Sequence, residues 1–456
     1  MKQPLQAQGL GGGSSPISER RTQPDTGRAL AAAAARGPWD SYTQRQRRAF
    51  LLVLFLVGTS SCVDRNLVSV LLEPIKAEFH VSDASLGLLS GLAFALLYAT
   101  LGIPGARWAD RASRKVVIIA SLCGWSVMTV LCGSARSFWQ LLGARFGVGA
   151  GEAGIVPTAQ SLLADYYSPT ERSRAIGIFL TSGAAGYALG LVVGGALTQN
   201  YGWRTAYVFF GVLGLILMPV CQAVLQEPRR LSPRASAIAP VESAMTAIRA
   251  LLCKRAYRNI LGALVVYFLM AYGALIFIVS LMIRAYGLST AQAGATFGAV
   301  AAVGTLVGSV VGGAFADRLA SKDLAWLCRL AGWGVIVTLP MFEGALWTHS
   351  IIAMSILLLV GSTVLSGVVP PVFSAIQVVC GSQRRALSVA LVYFFANMVG
   401  FGLGPVITGA LSDRFGAVYG SADGLRYALM IVMCVLLPSA WLMLRAAPHI
   451  AAEAEE

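Results

Sequence analysis

Four charged side chains sit in stretches of sequence that are otherwise apolar. Asp64 and Arg65 occur in CVDRNLVSV, and Arg145 and Glu152 in ARFGVGAGEAGIVP, residues 144–157. An isolated charge at the centre of a hydrocarbon layer costs about 2.5–3.5 kcal/mol on insertion scales, so such residues face a cavity or one another. A carboxylate placed there can bind a proton and so cancel its own charge. A guanidinium stays charged, and its planar fork fits a carboxylate or phosphate. His80, His349 and His449 fall in loops or tails, which leaves Asp64 and Glu152 as the titratable groups well inside the apolar segments. Arg145 and Glu152 are two helical turns apart and share a helix face. Counted from the segment centre near residue 151, Glu152 lies at mid-depth and Arg145 about 9 Å toward one surface. Asp64 and Arg65, on a segment centred near residue 60 and running the other way, lie about 6–8 Å from mid-depth on that same side. Two acids and two bases at matching depth can also neutralise one another as a purely structural lock.

The elements that position these groups are read from composition. The 456 residues are 56% hydrophobic and 12% charged, with mean hydropathy +0.69, which excludes a soluble multidomain protein and describes a polytopic membrane protein. Twelve apolar stretches are each long enough to cross a hydrocarbon core of about 30 Å as a helix. They lie near 49–72, 85–106, 116–134, 138–164, 175–198, 205–225, 259–283, 292–315, 330–347, 350–377, 386–410 and 427–444. With both termini cytoplasmic, 27 of the 35 Lys and Arg fall in tails and inner loops, 6 in outer loops and 2 inside spans. The net charge of +14 thus follows the positive-inside rule and calls for no nucleic-acid partner. The expected protein is an all-α integral membrane protein of the plasma membrane, or the inner membrane if bacterial. Its parts are a disordered cytoplasmic tail over 1–47, a six-helix bundle over 48–225, a basic linker over 226–258, a second bundle over 259–446 and a short tail over 447–456. The eight cysteines are scattered without a CxxC pair or a neighbouring histidine, so neither a metal site nor a cofactor is expected.

The two halves repeat. ARWADRASRK (106–115) after the second span matches GAFADRLASK (313–322) after the eighth, and GYALGLVVGG (186–195) in the fifth matches GFGLGPVITG (400–409) in the eleventh. Two facing bundles built this way place a site near the midplane between them. Asp110, Arg111, Arg114 and Lys115, with Asp317 and Arg318, are read as a cytoplasmic latch that pairs with helix N-termini, acids or lipid phosphates and can break. Gly186, Gly190, Gly400 and Gly404 permit close backbone approach or helix bending. The repeat also weighs against a pure ion-pair lock. Aligning IVP (155–157) with VVP (368–370) sets Leu358 opposite Arg145 and Leu365 opposite Glu152, so the fold position itself needs no charge.

Twelve spans in two halves, with the loop motif after spans two and eight and the glycine motif in five and eleven, resemble the major facilitator superfamily over residues 48–446. CVDRNLVSVLLEPIKAEF (62–79), SDASLGLLSGLAFALLYA (82–99), SFWQLLGARFGVGAGEAG (137–154) and ADYYSPTERSRAIG (164–177) are similar to its Spinster-like branch. Ala106 replaces the usual glycine of the loop motif, and Leu191 stands where antiporter-type members often carry proline. The resemblance implies proton-linked transport with Asp64, Arg65, Arg145 and Glu152 at the family's charged positions.

The second half presents no mid-span charge, but it offers Tyr267, Tyr272, Phe277, Phe373, Gln377, Tyr393 and Asn397 as cavity-lining candidates. A charged wall facing an aromatic, neutral one suits an amphipathic solute with an ionised head and an apolar body. The expectation is therefore a monomeric, proton-coupled secondary active transporter in contact with membrane lipids, with Glu152 and Asp64 as coupling residues and Arg145 and Arg65 as the charge network. The alternative is a carrier of a hydrophilic organic anion clamped by Arg145 or Arg65. No nucleophile or metal cluster supports an enzyme.

Overall fold

The computed structural model describes residues 38–111, 113–228 and 244–454. The tail reading for 1–37, the stretch 229–243 of the linker and residues 455–456 lie outside the described residues, as do the side chains of Asp110 and Arg111. Every described element is helical. Eleven helices are long and apolar enough to span a membrane: Gln44–Phe79, Asp83–Gly102, Arg114–Ser134, Pro169–Tyr201, Trp203–Val224, Arg255–Tyr286, Thr290–Ala320, Trp326–Trp347, Ile351–Gly381, Leu387–Tyr419 and Ser421–Glu453. The twelfth, fourth in chain order, is interrupted: Phe138–Glu152 and Ile155–Tyr166 are separate helices. Gly154, at φ +85°, supplies the left-handed residue that the break requires. Sequence periodicity treats 138–164 as one uninterrupted span. The equivalent tenth span runs unbroken through Pro370 and Pro371, so the interruption is particular to the segment that ends on Glu152.

An even number of spans puts both chain ends on one face, here called the tail side; the opposite face is the far side. The far-side turns repeat between the halves in kind as well as place. Ser82 and Ser289 cap the second and eighth spans by accepting the N–H of Ser85 and Gln292. Ser137 and Ser350 do the same for the fourth and tenth. Gly202 and Gly420, both at φ +85°, turn the fifth span into the sixth and the eleventh into the twelfth. These caps satisfy N–H groups that a helix cannot satisfy itself. On the tail side, the short helix Ala244–Cys253 precedes the seventh span.

Within the first bundle the fifth span lies along the first, and the third packs on the fourth and sixth. The glycine motif explains the first pairing: a methyl on Gly186 would come within 2.5 Å of the Thr59 carbonyl oxygen and of Cys62 Cβ. A methyl on its counterpart Gly400 would come within 2.8 Å of Phe268 Cβ, and one on Gly404 within 2.6 Å of the Leu269 carbonyl oxygen, so the eleventh span lies along the seventh in the same manner. The motif serves close approach in both halves, and only the eleventh span is also distorted there, into a π-helix over Ala396–Leu403. The bundles meet where the fifth span packs on the eighth and the second on the eleventh.

Candidate functional site

Glu152 is the last residue of its helix and is fully buried. Its Oε2 accepts from Arg65 Nε at 2.8 Å and from Ser61 Oγ at 2.7 Å, while Arg65 Nη2 also reaches Ser61 Oγ at 3.4 Å. Arg65 and Ser61 lie one helical turn apart on the first span, so both point at the break in the fourth. Arg65 is the exposed member of the ion pair, at 21% side-chain exposure against 0% for Glu152. Its guanidinium carbon stands 4.4 Å from the centroid of the Tyr98 ring and 5.1 Å from that of Phe94. Two aromatic faces thus help to hold the cation in place of a second acid. A crevice between the first, fourth and fifth spans is lined by Val57, Ser61, Cys62, Arg65, Ile155 and Ser182. The wall of that crevice therefore carries the Arg65 side of the pair.

Arg145 is placed differently from what charge balance leads one to expect. It is completely buried, and its Nη1 donates to the main-chain carbonyl of Asp64 at 3.1 Å rather than to a carboxylate. Asp64 is 1% exposed. The four charges are thus one direct ion pair, Arg65 with Glu152, beside a second, looser couple in which Arg145 grips the backbone of Asp64. Both couples lie in the first bundle, as their sequence positions required.

Across the bundles, Tyr272 stacks on Phe268 and meets Phe401 edge-on, and it lies within electrostatic reach of Arg65, Tyr98 and Tyr393. Phe373 and Tyr393 stack with centroids 5.5 Å apart, and Tyr393 is 50% exposed. Gln377 is exposed, and Asn397 spends its amide on the Tyr393 carbonyl. Tyr267 and Phe277 are core residues in this conformation: both are buried, and the Tyr267 hydroxyl donates to the Leu365 carbonyl at 3.1 Å. Sequence reasoning missed Phe94 and Tyr98 as partners of Arg65; their i, i+4 spacing in GLAFALLYA is the one available signal, and it reads equally well as core.

The loop motif divides. Arg114 is buried and pairs with Asp165 at 2.7 Å and Glu227 at 3.0 Å, and it donates to Ser161, tying the third span to the tail-side ends of the fourth and sixth. Lys115 donates to the Gln222 carbonyl. Asp317 and Arg318 are exposed and form no ion pair among the described residues.

Sequence reasoning missed a cluster on the far side. Arg284, at the end of the seventh span, donates through Nε to Glu73 Oε1 at 2.9 Å and clasps Asp83 with two bonds of 2.7 Å. Lys76 and Ser412 also bond Asp83, each at 2.6 Å. Asp413 accepts the N–H groups of Asp83 and Ala84, capping the second span from the opposite bundle. Among the described residues, every hydrogen bond or ion pair that joins the bundles lies at this end; the remaining one runs from Ala291 N to Gln199. The far side is closed and bolted by charge.

The sequence profile of the Major Facilitator Superfamily matches residues 54–404. The chain is 32% identical over 398 residues to an MFS-type efflux pump of Mycolicibacterium smegmatis, covering 87% of this chain and 91% of that one. It is 26% identical over 430 residues to protein spinster homolog 3 of Danio rerio, covering 86% and 83%. Among solved structures it is similar to a bacterial homolog of the human lysosomal transporter Spinster in an inward-facing, unoccupied conformation, with TM-score 0.82, 27% identity, and 91% of this chain and 100% of that one covered. The closed far side, the twelve spans in two repeats and the buried charges of the first bundle are thus those of a transporter, not an enzyme, and the chain belongs to the Major Facilitator Superfamily, in its Spinster-like branch.

Proposed function

We propose that this protein is a proton-coupled secondary active transporter of a small amphipathic organic solute, working by alternating access, with Glu152 and Asp64 as the proton-binding groups. The observation that carries this reading is the Glu152–Arg65 pair, a buried carboxylate whose cation reaches the crevice. While Glu152 is ionised, it holds Arg65. Protonation removes the negative partner, and Arg65, kept in place by Tyr98 and Phe94, becomes available to the polar head of a solute. Proton and solute thereby affect one another through a shared residue. The apolar body of the solute would lie against Tyr272, Phe373 and Tyr393.

The tail side is read as cytoplasmic from the distribution of Lys and Arg. With the far side closed, the present conformation then faces inward and the protein sits in the plasma membrane or its bacterial equivalent. The similarity to an efflux pump favours export. The second reading, a carrier of a hydrophilic organic anion, is favoured by the partly exposed Arg65 side chain on the crevice wall. Purified protein in liposomes, given an imposed pH gradient and a panel of amphipathic solutes and simple carboxylates, separates the two. Proton-driven movement of amphipathic solutes without carboxylate counterflow supports the first reading, carboxylate counterflow the second, and movement of neither class with protons refutes the proposal.

A further inference from the structure

Thirteen buried side-chain nitrogen and oxygen atoms among the described residues make no hydrogen bond to protein, and eight of them belong to seven residues inside the first bundle. They are Asp64 Oδ1, Trp125 Nε1, Ser126 Oγ, Thr129 Oγ1, Arg145 Nε and Nη2, Glu152 Oε1 and Tyr207 Oη, supplied by the first, third, fourth and sixth spans. Helix geometry gathers them. Trp125, Ser126, Thr129 and Cys132 share a face of the third span, and Arg145 and Glu152 share a face of the fourth. Tyr207, Cys132, Arg145 and Asp64 lie within electrostatic reach of one another, Asp64 likewise of Glu152, and the Thr129 hydroxyl lies beside the Asp64 carboxyl without the geometry of a full hydrogen bond from its Oγ1. None of the seven residues that own the eight atoms is more than 1% exposed. Of the remaining five atoms, two belong to the second bundle, on Ser280 and Arg426.

Folded proteins rarely leave buried polar atoms unbonded, because each lost partner carries its full desolvation cost. Donors and acceptors here are mixed: two carboxylate oxygens, two guanidinium N–H groups, an indole N–H and three hydroxyls. That inventory suits water, which needs two to four polar partners and can satisfy either kind. It suits a resident anion poorly, since two carboxylates face the same space.

We propose that the first, third, fourth and sixth spans enclose a hydrated compartment inside the first bundle, closed off from the central crevice, whose water connects Asp64 to Glu152. Its functional consequence rests on the proton-coupling reading; its existence does not. A protonated carboxyl on one residue gives its proton to a bridging water, and that water passes one of its own protons to the other carboxylate, so the water is regenerated and a single proton is shared between two depths. Arg145 sits beside this path and balances the remaining negative charge. Tyr207 closes the compartment toward the far side, one turn from Trp203.

Microsecond radiolysis of the full-length protein in lipid nanodiscs tests for the water directly, because hydroxyl radicals oxidise side chains only beside the water from which they form. Tyr207 and Cys132 should be oxidised at least tenfold faster than Tyr257 and Cys328, which are equally buried but lie in the second bundle. Equal, slow rates would show a dry site and overturn the proposal. Brief mixing with ¹⁸O water before the pulse should label the partly exposed Tyr98, beside Arg65, first and Tyr207 later; simultaneous labelling would overturn the closure. The double variant Thr129→Val, Tyr207→Phe removes two water partners, and at an unchanged Tm it should lower Cys132 oxidation at least threefold. Unchanged oxidation would overturn the assignment of these residues. None of these readouts requires transport, so they hold or fail apart from proton coupling.

Discussion

The far-side bolt provides a test whose magnitude follows from its geometry. Arg284→Gln deletes three hydrogen bonds to carboxylates, two of them a bidentate clasp on Asp83 and one on Glu73. All three run between bundles, so they exist only while the far side is closed. Asp83 retains Lys76 and Ser412, but Glu73 is left with no cation among the described residues. Arg284 is 6% exposed and Asp83 3%, so these bonds are largely shielded from solvent and exceed the few tenths of a kcal/mol of a surface pair. Hydrogen bonds to charged groups contribute about 1.5–3 kcal/mol each before desolvation is charged against the set, and removing one partner of a buried pair is the costly direction. A net loss of about 2 kcal/mol for the closed state is expected, which raises the ratio of far-open to far-closed molecules by about 30-fold. Spin labels at the exposed residues Ser82 and Ser421, one on each bundle, read that ratio as a distance distribution by pulsed electron resonance. Arg284→Gln should build up the longer distance, with Tm of the solubilised protein changed little because each bundle keeps its own core. An unchanged distance distribution in a folded variant would refute the claim that this cluster holds the far side shut.

Two further predictions concern charge balance and topology. If the four charges exist only to neutralise one another, Asp64→Asn combined with Arg145→Gln should recover both the Tm and the transport lost in either single variant; the geometry instead predicts recovery of Tm by about 2–4 °C without recovery of transport, read from a double-mutant cycle on both quantities. A single cysteine at Ser168 should react only with reagent supplied from the cytoplasm and one at Ser82 only from outside, and reversed labelling would end the assignment of the tail side as cytoplasmic.

What the sequence made legible follows from the strength of each physical signal. Spans were legible because a run of about 20 apolar residues has one stable solution in a bilayer. The placement of Glu152 and Arg65 near each other was legible because charge inside such runs is costly enough to demand a partner. The helix break at Ala153–Gly154 was hidden: a glycine inside a helical pattern reads as packing, and only the fold reveals φ +85°. The bond from Arg145 to the Asp64 carbonyl was not legible, because charge patterning fixes depth and face but not the last few ångströms of a side chain. Arg284 and Asp83 are 201 residues apart and sit at helix ends, where charges are common and carry no signal of pairing. The seating of Arg65 over Tyr98 was equally silent, since aromatic residues in apolar helices are ordinary core.

The central claim is that protonation of Glu152, through its hold on Arg65, couples solute movement to the proton gradient. Glu152→Gln fixes that position in a neutral form that approximates the protonated acid. In liposomes the variant should still exchange labelled for unlabelled solute at a rate near that of the unaltered protein, yet fail to accumulate solute when a pH gradient is imposed. Accumulation driven by the gradient to the level of the unaltered protein would contradict the claim and shift the coupling role to Asp64.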